Sequence, residues 1–252
     1  MAPRSTRKAP APPAKSLLDE EAVAAALCAA CRTTDEEKAA AHAQRIVRQA
    51  FLHERLKVHR KLLADAAELA QDPATSGERA VVRPESEFTI GLLRESLPRG
   101  AVEALADWRV LTTKVVHASE SSDYVTTKLL IELTTGNQVE AVVLRHKQRT
   151  TLCVSSQVGC KMGCTFCATG TLGQRANLTA AEIQEQLIHA NRFLKTCKEP
   201  RNVTNIVFMG MGEPLNNYKS VVEACRAMTD TSRFSLSPGK VTVSTVGVVN
   251  RM

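Results

Sequence analysis

The chain has 252 residues, of which 44% are hydrophobic and 23% are charged, as in an ordinary globular protein. No stretch approaches the roughly 20 apolar residues that a membrane-spanning helix needs, so we expect no membrane partner. Eight cysteines in a chain of this length indicate a reducing compartment or a metal site, and they argue against a secreted disulfide scaffold.

The formal net charge of +7 favours an anionic partner, with nucleic acid the leading candidate. Four of these positive charges are Arg4, Arg7, Lys8 and Lys15, which leaves only +3 for the other residues. An aromatic content of 4% argues against a broad surface for base stacking. The charge is therefore compatible with RNA binding but does not establish it.

Residues 1–15 are predicted to form a disordered basic tail. They contain no acidic residue and are rich in proline and alanine, and they lack the apolar core of a secretory signal. A plastid or mitochondrial transit peptide is the alternative. We therefore expect a cytoplasmic protein, with an organelle as the second location.

Residues 16–110 are predicted to form a helical accessory region. An alanine-rich run over 19–31 precedes a second run that starts near Asp35 and has an apolar face. The apolar positions are Ile46, Phe51, Leu52, Leu56, Leu62, Leu63 and Leu69, and the basic positions among them are Arg45, Arg48, Arg55, Lys57, Arg60 and Lys61. This basic face either contacts RNA phosphates or is simply solvated.

Cys28 and Cys31 form a C-x-x-C pair within this helical region. Such a pair can be half of a zinc or redox site, but no second pair with zinc-type spacing follows it. Both positions lie on one face of an alanine-rich helix. We therefore interpret them as packing residues.

Residues 111–150 are predicted to form a β-hairpin linker. Strands over 125–133 and 139–144 flank the turn at 134–138, which contains Gly136 and Asn137. The pattern then changes to alternating strands and helices: strands over 151–157, 205–209 and 240–245, and helices over about 179–196 and 218–228. Such alternation predicts a parallel sheet in an α/β fold.

The core over 151–252 is expected to be incomplete at its C-terminal end. Three strands do not close a barrel, and parallel sheets need their faces and edges covered. We therefore expect a fragment or a truncated isoform.

Three cysteines stand close together at Cys160, Cys164 and Cys167, with Gly159 and Gly163 beside them. Three thiolates can hold three irons of a 4Fe-4S cluster and leave the fourth iron open to a small molecule, since such clusters ordinarily take four cysteines. A zinc site would need further ligands. Buried small hydrophobic side chains are the remaining alternative.

The segment Cys153-Val-Ser-Ser-Gln-Val-Gly-Cys160-Lys-Met-Gly-Cys164-Thr-Phe-Cys167 resembles the cluster segment of the RlmN/Cfr-type radical S-adenosylmethionine (SAM) methyltransferases. Met209-Gly-Met-Gly212-Glu213-Pro214 and Val241-Thr-Val-Ser244-Thr strengthen the resemblance, which extends from about residue 129 to 251. Members of this family methylate adenine in 23S rRNA, and some also act on tRNA. The resemblance implies a partial (β/α) radical SAM barrel preceded by a helical accessory domain and a β-hairpin.

The resemblance also implies the cofactors and their ligands. Cys160, Cys164 and Cys167 would hold the 4Fe-4S cluster, whose open iron binds the amino and carboxylate groups of SAM. The segment Gly212–Glu213–Pro214 and Ser244 would contact SAM. Without the family, a Gly-Glu-Pro sequence after a strand is merely a turn.

Glu140 and Cys153 match two catalytic residues of the family. Glu140 matches the proposed proton acceptor, and Cys153 matches the thiol that deprotonates the methylated intermediate and helps to release it from the enzyme. By pattern alone, Glu140 would be a solvent-facing strand residue. Cys153 would likewise be a core residue.

Several features depart from the family. The stretch Gln174-Arg175-Ala176 follows Gly173 where an aromatic residue and then an arginine are usual, and Val246 stands where many members have serine. In this family, a second catalytic cysteine near the C-terminus carries the methyl group, and no residue of this chain matches it. Cys197 and Cys225 do not match, because they lie in predicted helices before the third strand.

We therefore expect a radical SAM methyltransferase that acts on carbon 2 of adenine in rRNA, with tRNA as a second substrate. We expect this chain alone to be inactive. The expected partners are that RNA and an electron donor such as flavodoxin or ferredoxin, and the chain is expected to be a monomer. Another RNA-base target and a non-catalytic RNA-binding product are the alternatives.

Overall fold

The computed structural model describes residues 15–31, 36–51, 97 and 100–248. These residues form a mixed α/β fold around one six-stranded sheet. The predicted tail over 1–14 and the predicted helical positions from Leu52 to Leu69 lie outside the described residues. In the described part, no helix is both long enough and apolar enough to cross a membrane.

The main sheet has the strand order β1-β2-β3-β4-β7-β8. Its strands are β1 (Lys114–Glu120), β2 (Thr126–Glu132), β3 (Gln138–Arg145), β4 (Thr150–Cys153), β7 (Asn205–Phe208) and β8 (Val241–Val243). Strands β1 to β4 pair in antiparallel fashion, whereas β4, β7 and β8 are parallel. The predicted parallel sheet is therefore present, and the predicted hairpin extends it directly. Strand β1 was not predicted.

The predicted strand over 151–157 is wrong in one respect, because β4 ends at Cys153. A separate strand, β5 (Gln157–Cys160), pairs in antiparallel fashion with β6 (Gly173–Asn177). The chain turns between the two strands: the N–H of Val154 still donates to Val207 of β7, but its carbonyl and the N–H of Ser156 bond to residues 210–211 of the next β/α loop. Cys160 therefore stands at the end of a small hairpin beside the main sheet.

Two helices cover one face of the sheet: α4 (Ala180–Thr196) and α5 (Tyr218–Thr229). The predicted capping box starts α4: the Thr179 hydroxyl accepts from the backbone N–H of Glu182, and the Glu182 carboxylate accepts from the N–H of Thr179. Alternate sheet residues such as Leu129, Val143 and Leu152 are fully buried in this core. The side chains between them point to the opposite face of the sheet, because successive strand residues alternate.

A second core lies between α4 and the N-terminal helices, which are α1 (Glu20–Cys31), α2 (residues 36–51) and α3 (Ala101–Ala104). It includes the predicted apolar positions Ile46 and Phe51, and α4 contributes Ala181 and Ile188. Cys28 is half-buried and packs against this core, in agreement with its interpretation as a packing residue.

A buried polar cluster joins α4 to the strand-leading segment at 112–113. The Glu185 carboxylate is fully buried and accepts from the backbone N–H and the hydroxyl of both Thr112 and Thr113, at 2.6–2.9 Å. The Ser16 hydroxyl donates to it at 3.3 Å. Because the Thr113 hydroxyl donates to Glu185, it accepts from Nε2 of His189 at 2.9 Å. These bonds tie the N-terminal region to the helix behind the sheet.

We expect Glu185→Gln and His189→Gln to change the pH dependence of stability in opposite directions. Burial raises the pKa of Glu185 from 4.5 to about 7, so the stability it contributes is lost as the pH rises through that window. Burial lowers the pKa of His189 from 6.5 to about 4, so its contribution is lost as the pH falls through that window. Between about pH 4.5 and 6.5, the two effects oppose each other in the parent protein.

Urea unfolding across this pH range measures the effect. The free energy of unfolding of Glu185→Gln, minus that of the parent, should increase with pH. The same difference for His189→Gln should decrease with pH. Glu103→Gln, which changes an exposed carboxylate on α3, is the matched control and should follow the parent. Parallel pH profiles for all four proteins would contradict the shifted pKa values of Glu185 and His189.

Candidate active site at the ends of the parallel strands

Residues 154–157 and 210–213 are bound side by side, and we call this pairing the seam. The Gly210 N–H donates to the Val154 carbonyl at 3.1 Å, and the Met211 N–H donates to the Ser155 hydroxyl at 2.9 Å. The Met211 carbonyl accepts from the N–H groups of Ser156 and Gln157. The segment that leads to the cysteines is thereby fixed to the loop that follows β7.

Buried side chains reinforce the seam from both sides. The Gln157 side chain accepts from the Glu213 N–H at 2.8 Å and donates to Asn177 of β6 at 2.7 Å. Asn217 donates to the carbonyl groups of Ser156 and Leu178 at 2.8 and 2.7 Å. Gln157 is fully buried, so each of these polar groups is satisfied without water.

Two glycines permit the close approach of these backbones. Gly159 has φ +74°, and a Cβ there would lie 1.8 Å from the Gly173 carbonyl oxygen. Gly212 has φ +101°, and a Cβ there would lie 2.6 Å from the Cβ of Gln157. Side chains are excluded at both positions by the backbone angle and by the neighbouring atoms.

The three predicted cluster cysteines lie on the loop that follows β5. Cys160 is buried at the end of the strand, whereas Cys164 and Cys167 are half-buried. The N–H of Gly170 lowers the pKa of the Cys167 thiol, which favours the thiolate that binds metals. Phe166, between the last two cysteines, is 91% exposed. The loop therefore presents an aromatic ring and two of the three thiols, those of Cys164 and Cys167, towards the surface.

The donor set of this loop fits an iron–sulfur cluster, because cysteine thiolates are the ligands that such clusters take. Among residues 15–31, 36–51 and 100–248, no three His, Cys, Asp or Glu side chains converge as ligands of one metal ion.

Glu213 lies at the centre of the neighbouring loop and is 3% exposed. Its carboxylate accepts from the Leu215 N–H at 3.0 Å, from the Thr245 hydroxyl at 2.5 Å and from the Val246 N–H at 3.0 Å. The Gly212–Glu213–Pro214 loop is thus bonded to the residues that directly follow Ser244, whose side chain is exposed. A carboxylate offers about four acceptor positions, so these described contacts leave one on Oε2.

Cys153 and Glu140 lie on the face of the sheet that points away from α4. Cys153 of β4 pairs with Val142 of β3, and Glu140 is two residues from Val142 on the same face. This diagonal relation corresponds to roughly 7–8 Å between Cα atoms. The Glu140 carboxylate forms a half-exposed ion pair with Lys128 at 3.0 Å, and burial raises the pKa of the Cys153 thiol.

The residues that build the seam were not identified from the sequence. Ser155 and Gln157 belong to the motif around the cysteines, and Asn217 lies three residues after the Gly-Glu-Pro motif, but functions were predicted only for the cysteines, Glu140, Ser244, and Glu213 with its two neighbours. Three consecutive polar residues between an apolar strand and a cysteine loop, Ser155-Ser-Gln157, were the available signal. Buried polar side chains need partners, and such a run predicts a second loop packed against it.

Comparisons with known proteins agree with the resemblance. No protein-family model matches the chain. The dual-specificity RNA methyltransferase RlmN of Geotalea uraniireducens is 53% identical over 135 residues, which is 54% of this chain and 37% of that protein. RlmN 1 of Myxococcus xanthus is 47% identical over 133 residues, covering 53% of this chain and 36% of that protein.

A crystal structure of a radical SAM methyltransferase from Sphaerobacter thermophilus is 38% identical and superposes with a TM-score of 0.55. The superposed region comprises 62% of this chain and 46% of the Sphaerobacter chain. Over the matched segment, this chain is similar to the RlmN methyltransferases. The chain spans less than half the length of these relatives. The similarity over this segment therefore supports the mixed α/β fold and the radical SAM class. The activity of the whole relatives is a proposal for this chain.

We expect Gly159→Ala to destabilise the protein far more than Gly136→Ala. Both glycines have positive φ, but a Cβ at Gly136 meets no atom within 4 Å. Gly136→Ala should therefore cost only the backbone strain of about 1–2 kcal/mol. Gly159→Ala must additionally separate β5 from β6. Urea unfolding measures both losses, and equal losses would contradict the close approach of the two strands.

Proposed function

We propose that this chain is the cluster- and SAM-binding part of an RNA methyltransferase that acts on carbon 2 of adenine. Ribosomal RNA of the 23S type is the proposed substrate, with tRNA as the second. The observation that carries this proposal is the seam, because it fixes a three-cysteine loop beside a buried glutamate loop in an RlmN-like segment. A radical SAM site needs both parts next to each other.

Cys160, Cys164 and Cys167 are the proposed cluster ligands. A reduced 4Fe-4S cluster held there would supply the electron that cleaves SAM. The protein's contribution is to leave one iron without a protein ligand and to hold the loop in place through Gln157 and Gly159. Because Gln157 bonds both Glu213 and Asn177, the Gly-Glu-Pro loop is held beside the cysteine hairpin and would be available to SAM bound there.

Glu213 and Ser244 are the proposed SAM contacts at the ends of the parallel strands, where ligands of such sheets bind. The carboxylate retains one acceptor position, which suits the SAM ammonium. Its three existing bonds keep it from rotating, and they also fix the segment that carries Ser244. We propose that Gly212 and Pro214 shape the loop rather than contact SAM through side chains.

The open face of the sheet holds the proposed groups for proton transfer. Cys153 and Glu140 share this face at adjacent strands. Burial raises the pKa of Cys153 and favours the protonated thiol, so a base must take that proton before Cys153 can deprotonate the methylated intermediate. Glu140 is half-exposed and is held by Lys128, so it can exchange protons with solvent. This arrangement fits their proposed roles in deprotonating and releasing a methylated adenine.

None of the cysteines in residues 1–252 is assigned the role of methyl carrier. Cys197 caps α4 at its C-terminal end, and Cys225 lies on α5, where burial raises its pKa to about 11. Both belong to the helix layer behind the sheet, away from the face of Cys153. We therefore propose that residues 1–252 alone do not complete the methyl transfer.

The wider context of the activity is also proposed. The RNA substrate follows from the relatives, whose names describe RNA methyltransferases. A flavodoxin or ferredoxin would supply electrons to the cluster. We propose a monomer located in the cytoplasm, with a plastid or mitochondrion as the alternative. The barrel architecture and the helical accessory domain expected from the family are part of the same proposal.

Replacing any one of Cys160, Cys164 and Cys167 with alanine should abolish cluster binding. Anaerobic reconstitution of the parent chain should give about four irons per chain. Each of the three cysteines would hold one iron of the cluster, and the fourth iron would have no protein ligand. Cys225→Ala, which removes a half-buried thiol from α5, is the matched control and should keep the full iron content. Equal iron in the parent and the three loop variants would overturn the cluster assignment.

Incubation of the reconstituted chain with SAM, a reductant and 23S-type rRNA should yield no methylated nucleoside. Mass mapping of the digested RNA makes the measurement. A methylated adenosine from this chain alone would contradict the absence of a methyl carrier. Methylation at another position of the base in a whole relative of this chain would favour the second candidate, a radical SAM enzyme with a different RNA-base target.

A further inference from the structure

A cleft of about 300 Å³ opens next to the cysteine loop. It lies between the β2–β3 turn and the β5–β6 hairpin. Its lining combines backbone of three glycines with the side chains of Asn137, Gln138, Val158, Leu172, Arg175 and Met211. The volume is at the lower end of the range for ligand sites in proteins, and the lining contains no aromatic ring.

A β-bulge directs Arg175 into this cleft. Val158 of β5 pairs with Ala176, but the next residue, Gly159, pairs with Gln174. Arg175 is therefore the extra residue of the hairpin and has no partner across the ladder. Bulges of this kind redirect a side chain and occur often beside active sites. The guanidinium of Arg175 is exposed at the rim.

The segments that line the cleft carry few charges, although the carboxylate of Glu132, at the end of β2, bonds the side chain of Gln138. Residues 133–139, 153–181 and 209–217 contain two cations, Lys161 and Arg175, and a single carboxylate, Glu213. That carboxylate is 3% exposed and already accepts three hydrogen bonds. Within the described residues, no carboxylate forms an ion pair with Arg175. Among the described residues, this end of the sheet thus presents an exposed arginine that has no ion-pair partner.

We propose that the cleft binds a phosphodiester of the RNA strand, with Arg175 as the anion contact. A guanidinium offers a planar pair of N–H donors that matches two phosphate oxygens. The facing turn carries the amides of Asn137, which donates to the Thr135 hydroxyl, and of Gln138, which bonds the Glu132 carboxylate. A nucleobase is the less suitable occupant, because base binding of this type relies on aromatic stacking. The inference rests on the proposed RNA substrate and assigns its backbone a place beside the cluster loop.

The proposal predicts a specific change in the salt dependence of RNA binding. Fluorescence anisotropy with a labelled single-stranded 20-nucleotide RNA is measured from 50 to 300 mM KCl for the reconstituted chain. Each phosphate contact on single-stranded nucleic acid contributes about 0.7 to the slope of log K against log salt. Arg175→Gln should lower the slope by about 0.7 and weaken binding about three- to fivefold at low salt.

Two further variants separate the site from general charge. Arg149→Gln removes the same charge from the exposed turn between β3 and β4, at the opposite end of the sheet, and should bind as the parent does. Arg175→Lys keeps the charge and should restore most of the slope. The melting temperature of each variant is measured alongside, and Arg175→Gln should melt with the parent.

The outcomes are distinct for the subsite and for the proposed function. Equal slopes for Arg175→Gln and Arg149→Gln, or no salt-sensitive RNA binding by the parent, would overturn the subsite. The iron content of the same samples reports on the cluster site independently. A parent that lacks iron but shows the Arg175-dependent slope would keep the subsite and reject the proposed SAM chemistry.

Discussion

The seam between residues 154–157 and 210–213 is the constraint on which the candidate site depends. Its backbone hydrogen bonds join the end of β4 to the end of β7. Gln157 then links this pairing to Glu213 on one side and to the cysteine hairpin on the other. Together with the parallel pairing of β4 and β7 in the main sheet, the seam brings the cysteine loop and the glutamate loop side by side.

The division of the sheet into two faces determines which residues can react. Helices α4 and α5 bury one face, and the cluster around Glu185 ties the N-terminal region to the back of α4. The other face holds Cys153 and Glu140, which are half-buried or exposed. Among the described residues, Cys153 and Glu140 lie on the face that α4 and α5 do not cover, and the Arg175 cleft lies at the same end of the sheet as the cysteine loop.

Much of this fold could be predicted because its signals are local. The capping box at Thr179 and Glu182, the β2–β3 turn and the apolar strand of β7 each depend on residues close in sequence. The end of β4 at Cys153 could not be predicted by the same means, since residues 154–156 continue the chain without a breaking residue. Their partners are more than 50 residues away, at 210–213, and only the folded chain brings them together.

The candidate site divides in the same way. The three cysteines are recognisable from spacing, and Glu213 from its resemblance to a family motif. The bulge that directs Arg175 depends on the register between β5 and β6, and no pattern within either strand specifies that register. The shared face of Glu140 and Cys153 likewise depends on the pairing of β3 with β4. Pairing between distant strands therefore determines which side chains lie together at the candidate site, whereas local sequence identifies the proposed cluster ligands.

The central claim is that three cysteines hold a four-iron cluster whose remaining iron is open to SAM. Electron paramagnetic resonance of the reduced, reconstituted chain tests it most directly, with spectra recorded before and after SAM is added. The account predicts a cluster signal whose g values shift when SAM binds the open iron. A cluster signal that SAM leaves unchanged, or no cluster signal in iron-loaded protein, would contradict it.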